Sequence, residues 1–90
     1  MPDTTATGVR VISDPHITPE IAAHILFHLG QGGSPGSTFV QKLLAAFDAA
    51  DAHNRLQLST AFPGYDAALE LAKNTNDGVA LLQVRADDNH

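Results

Sequence analysis

Apolar residues recur along this chain mostly at three- and four-residue intervals, the spacing that gathers side chains on one face of an α-helix. The clearest helix start is Thr18-Pro19-Glu20, a capping side chain followed by a first-turn proline and an acid. That helix is expected to run from Pro19 to about Leu29, with Ile21, Ala22, Ile25, Leu26 and Leu29 on one arc. Gly30, Gly32 and Gly33 stop it, and Ser34-Pro35 repeats the cap-plus-proline signal, which predicts a second helix from about Pro35 to Ala50. Phe39, Val40, Leu43, Leu44 and Phe47 fall on one side of this second helix, opposite Gln41, Lys42, Ala45 and Asp48, marking it as the main core helix.

Asp51 then caps a short third helix over Ala52 to Ala61, expected to bring Leu56 and Leu58 inward. Pro63 ends that helix and opens a fourth, reaching about Asn74, in which Tyr65, Leu69 and Ala72 share a face with Ala68 beside them. Asn76 or Asp77 caps a last short helix that carries Val79, Leu81 and Leu82. Residues 1–13 read as an extended arm, unperiodic to about Thr7 and then alternating through Val9, Val11 and Ile12. The pattern thus predicts an all-α fold: a compact bundle of four to five short helices over residues 14–86, with an extended N-terminal arm and a frayed acidic tail over 87–90. The minor alternative is a small terminal β-hairpin: Val79 to Val84 also reads as a strand partner for the arm, and Asp77-Gly78 as a hairpin turn.

Composition narrows the function more than the fold. Ten acidic residues against five basic ones give a net charge of −5, a sign that repels phosphate backbones, so no nucleic acid is expected as a partner. The absence of cysteine removes disulfides, thiolate nucleophiles and sulfur-based zinc sites, and suits a reducing cytoplasm. No apolar run approaches the roughly 18 residues of a membrane span, and no secretory signal opens the chain, so no membrane partner is expected either.

Four stretches, Phe47-Asp48-Ala49-Ala50-Asp51, Asn54-Arg55, Ala61-Phe62-Pro63-Gly64-Tyr65 and Thr75-Asn76-Asp77-Gly78, together resemble a recurrent pattern in small uncharacterised proteins of actinobacteria and their phages, mycobacteriophages among them. The resemblance spans about Ser34 to Leu82 and implies an origin, with no activity, cofactor or catalytic residue attached. The Phe62-Pro63-Gly64-Tyr65 corner also has a physical reading: proline separates two helices, glycine permits close approach and the aromatics anchor the joint.

Candidate chemistry is sparse. His24 and His28 lie four apart on the first helix, a spacing that can chelate a divalent metal, with Glu20 one turn earlier as a candidate third ligand. Ile25, which follows the first histidine, stands where a zinc hydrolase of this spacing has glutamate, so that class is excluded. Ser59, Thr60, His53, Asp48 and Asp51 supply the residue types of a hydrolytic triad without a strained nucleophile turn around them. Residues 31–36 are glycine-rich but lack the Lys-Ser or Lys-Thr of a phosphate loop. Arg55, four residues after Asp51, reads as its ion-pair partner.

Phe27 is the residue that the core pattern leaves over. It falls nearly opposite the apolar arc of the first helix, among Glu20, Ala23, His24 and Gln31, a mixture of one aromatic with polar neighbours that reads as the edge of an interface. The competing reading is that the bundle wraps both sides of that helix. The expectation is therefore a non-enzymatic phage accessory protein, without a cofactor, acting in the bacterial host cytoplasm on a protein partner, either a host protein or a second copy as a homodimer. A virion structural or assembly factor is the alternative, ahead of a DNA-binding regulator or a metal-dependent enzyme.

Overall fold

The computed structural model describes Ile12 and residues 14–88, and the described part is all-helical. Five helices follow one another: α1 Pro19–His28, α2 Thr38–Ala49, α3 Ala52–Ala61, α4 Pro63–Asn74 and α5 Gly78–Asp87. Two of the expected caps form: the side chains of Thr18 and Asp51 accept hydrogen bonds from the backbone N–H of Ile21 and Asn54, and Ser37 accepts from Val40 in the same way at the start of α2. α1 is the hub and packs on α5, α4 and α2, while α3 lies along α4. The core gathers Ile25 and Leu26 of α1, Leu43, Leu44 and Phe47 of α2, Leu69 of α4 and Leu81 and Leu82 of α5, joined by Ile12 and Ile17 from the lead-in.

The second helix corrects its expected start. It opens at Thr38 under a Ser37 cap, and Ser34-Pro35 belongs to the preceding linker. The cause is Gly36, whose φ of +70° is left-handed and ends any right-handed helix that would begin at Pro35. Two apolar residues assigned to the core lie outside it: Phe39 is 61% exposed and Leu56 is 66% exposed. Phe39 stands at the edge of the inward arc of α2, and Leu56 points some 160° away from the part-buried Leu58.

The strand alternative is overturned among the described residues, because Val79 to Val84 lies inside α5. Val9 and Val11 lie outside the described residues. Ile12 is buried, and its carbonyl accepts a hydrogen bond from Arg85 of α5, so the described end of the lead-in belongs to the folded body. Asp87, assigned to the frayed tail, closes the last turn of α5. At the α3–α4 corner Gly64 is buried beneath His16, and a Cβ there would collide with the His16 carbonyl and the Ile21 side chain. Only glycine lets the lead-in cross α4 at that depth.

Candidate functional site

α2 has an open flank on each side, and the two flanks differ in chemistry. On one side a cavity of about 330 Å³ opens between α1 and α2, lined by His24, Phe27, His28, Gln41, Leu44 and Ala45, with Pro35 of the linker at its edge. Phe27 is 48% exposed at this cavity. On the other side a groove of about 450 Å³ runs between α2 and α3, lined by Ala46, Ala49, Ala50, Asn54, Gln57 and Leu58. It exists because α2 and α3, though consecutive, do not pack along each other.

The two histidines of α1 share a face, yet each is engaged separately. His24 Nδ1 lies 2.8 Å from the Tyr65 hydroxyl, and the two rings stack with 7° between their planes. His28 Nε2 lies 2.7 Å from Asp48 Oδ2, and Lys73 Nζ approaches the other carboxylate oxygen at 3.9 Å. Asp48 therefore ties α2 to the last turn of α1 and to the end of α4. The Tyr65 phenol is held above its ordinary range, first by burial and then by the negative charge of Glu20. It stays protonated across the physiological range.

This arrangement corrects two expectations from the sequence. His24 was placed with Phe27 on an outward face, but its ring turns into the chain against Tyr65. Ala23 likewise is partly covered, since its carbonyl accepts the Ser34 N–H as the glycine-rich linker folds back over α1. Part of the second face of α1 is thus wrapped by the chain itself, leaving Phe27, Glu20 and Gln31 exposed. As metal ligands His24 and His28 find no third donor: no cluster of three or more His, Cys, Asp or Glu suited to an ion occurs among the described residues.

The triad residues are not brought together. Ser59 and Thr60 both donate their hydroxyls to the Leu56 carbonyl, Asp51 caps α3, and Asp48 serves His28. His28 and Asp48 do form an oriented imidazole–carboxylate pair, but no serine, threonine or lysine lines the adjoining cavity. Its walls offer imidazole, amide and apolar surface, which suits binding.

Arg55 corrects its expected partner. Its Nε donates to Asp66 at 2.9 Å and its Nη2 to Glu70 at 3.1 Å, both on α4, while its guanidinium lies 5.2 Å from the centre of the Phe47 ring. Asp51 is left free of it to cap α3. One arginine thereby fastens α3 to α4 and to the base of α2. The sequence pointed to the charge of Arg55 but not to its reach, because both acids are more than ten residues downstream.

No family model matches the chain, and neither a curated protein nor a solved structure matches it. These comparisons add no support to an actinobacterial or phage origin. No helix among the described residues is long and apolar enough to cross a membrane.

Proposed function

We propose that this chain is a non-enzymatic accessory protein that works by binding another protein, and that the contact centres on Phe27 at the α1–α2 cavity. One observation carries the reading: a large aromatic, 48% exposed, borders a concave surface with polar side chains around it. Aromatic anchors with a polar rim are the composition of interface hot spots. The His28–Asp48 and His24–Tyr65 bonds hold the cavity walls before a partner arrives, which reduces the ordering cost of association. The chain's net charge of −5 disfavours a nucleic-acid partner.

The test is affinity purification of the tagged chain from bacterial cells, run beside Phe27→Asp. The expected result is a co-eluting protein that the variant no longer retains, while its circular dichroism and melting remain those of the parent. A partner retained equally by both proteins removes Phe27 from the interface and the proposal with it.

A further inference from the structure

The linker from Gly32 to Gly36 carries only two side chains, those of Ser34 and Pro35, and none of its residues is buried. It nevertheless lies down on α1. The Ser34 N–H donates to the Ala23 carbonyl at 3.1 Å. Gly33 comes so close to α1 that a Cβ on it would strike that same carbonyl, and a Cβ on Gly36 would stand 3.0 Å from Nε2 of His24. Pro35 forms one edge of the α1–α2 cavity. The linker thus covers the Nε2 side of His24 and part of the cavity mouth, while Tyr65 holds the same ring at Nδ1.

We propose that residues 32–36 are a lid on this cavity, closed in the structure, which opens locally while the five helices stay folded and so uncovers His24 Nε2 beside Phe27. The closed form is held lightly. Across to the helices the lid makes the Ser34–Ala23 bond and one long contact, from the Gln41 amide to the Gly36 carbonyl at 3.5 Å, and it buries no side chain. Against these stands the ordering of a segment in which three residues of five are glycine, the residue with most backbone freedom to lose. A segment with few contacts and exposed hydrogen bonds lies at the low end of local stability.

The rest of the molecule does not need the lid closed. Behind it the Gln31 N–H is bonded to the Leu26 carbonyl, and ahead of it Ser37 caps α2, so both ends are anchored. The His28–Asp48 bond and the shared core hold α1 to α2 independently of the linker. When the linker lifts, Pro35 leaves the cavity edge, and His24 keeps its place because Tyr65 is on α4. A partner seated on Phe27 then meets an imidazole nitrogen that the closed lid withholds. The use of the lid as a gate rests on the Phe27 contact proposed above; the motion itself does not.

Amide exchange of the full chain, followed residue by residue by NMR, tests the motion. The Ser34 amide should exchange at least about tenfold more slowly than an unprotected amide, and about a hundredfold or more ahead of those of Ile25 and Leu26. Urea below the unfolding transition should quicken Ile25 and Leu26, which open only with the core, and leave Ser34 unchanged. Gly33→Ala, whose Cβ is barred from the closed position, should remove the protection of Ser34 without altering the circular dichroism. In that variant diethyl pyrocarbonate should acylate His24 at least about fivefold faster than in the parent, with the exposed His53 as an unaffected reference. A Ser34 amide that exchanges with the core and shares its urea dependence would make the linker part of the rigid body and overturn the proposal. So would a Ser34 amide without protection in the parent, equal acylation of His24 in both proteins, or loss of helix in Gly33→Ala. Partner capture through Phe27 is read in a separate experiment, so a rigid linker leaves that contact standing and a failed capture leaves the motion standing.

Discussion

α1 and α3 are both ten residues long and both open on a side chain that caps the third backbone N–H beyond it, yet they hold the fold in opposite ways. α1 buries Ala22, Ile25 and Leu26 and touches three other helices. α3 buries no residue at all and rests on α4. The same local signal therefore makes two helices, and the apolar stripe behind it decides which becomes core. α3 is fastened from the side by Arg55, through charge and ring contact, so the surface it shares with α2 stays open.

The sharpest way to break this contrast is to truncate α1. Ile25 is fully buried, so Ile25→Ala loses its transfer energy and leaves a cavity, costing about 3–4 kcal/mol. A domain of this size has roughly 5–10 kcal/mol in total. Urea denaturation should show a midpoint reduced by a third or more, or a chain already unfolded in buffer. A loss under about 1 kcal/mol would mean that α1 is not the hub.

Next in size is Arg55→Ala, which removes two ion pairs and the stacking on Phe47 from a side chain that is 22% exposed. The expected loss is about 1–2 kcal/mol. It should be local: amide exchange should quicken along α3 before it changes along α1. Arg55→Lys should recover less than half, since lysine keeps the charge but lacks the planar fork that serves Asp66, Glu70 and the Phe47 ring together.

The same contrast explains what could be read from the chain alone. Helix identity lay in adjacent residues: Thr18-Pro19, Asp51 and Pro63 each placed a helix start within its own segment. The start of α2 was less legible, because Ser34-Pro35 and Ser37 are both reasonable caps and the decision rests on the left-handed Gly36. Phe27 was legible as an excess aromatic because the inward arc of α1 was complete without it. Phe39 was not, since it falls within the apolar side of α2 and its exposure depends on where α3 lies. The direction of His24 was hidden for the same reason, its partner Tyr65 being 41 residues away. Periodicity specifies which face turns inward; it carries no information on how far the neighbouring elements extend over the flanks.

Smaller again is the effect of Tyr65, which fastens the outer side of α1 to α4. Its folded-state pKa lies above the ordinary 10.0, chiefly through burial and secondarily through Glu20. Below pH 10 the phenol is protonated in both folded and unfolded chains, and its contribution is complete. As pH rises through 10 the unfolded chain loses the proton first, so stability declines until the folded phenol ionises too. The chain has one tyrosine and no tryptophan, so tyrosinate absorbance follows this group directly. The native titration should lie at higher pH than the one in urea, and Glu20→Gln should bring it part of the way back. Tyr65→Phe should flatten the alkaline fall in stability. Native and urea curves that coincide would show that the phenol is not shielded.

The smallest expected effect is the most telling for α3. Leu56 is its most apolar exposed residue, at 66%, and at about 100° per residue it points some 160° away from Leu58 and Asn54, on the side remote from the groove. If α3 were held by burial, replacing Leu56 would weaken it. Because α3 is held through Arg55 and its Asp51 cap, Leu56→Gln should change stability by less than about 0.5 kcal/mol, glutamine having nearly the helix propensity of leucine. A loss above about 1 kcal/mol would assign α3 a buried contact through Leu56 and make it a smaller version of α1.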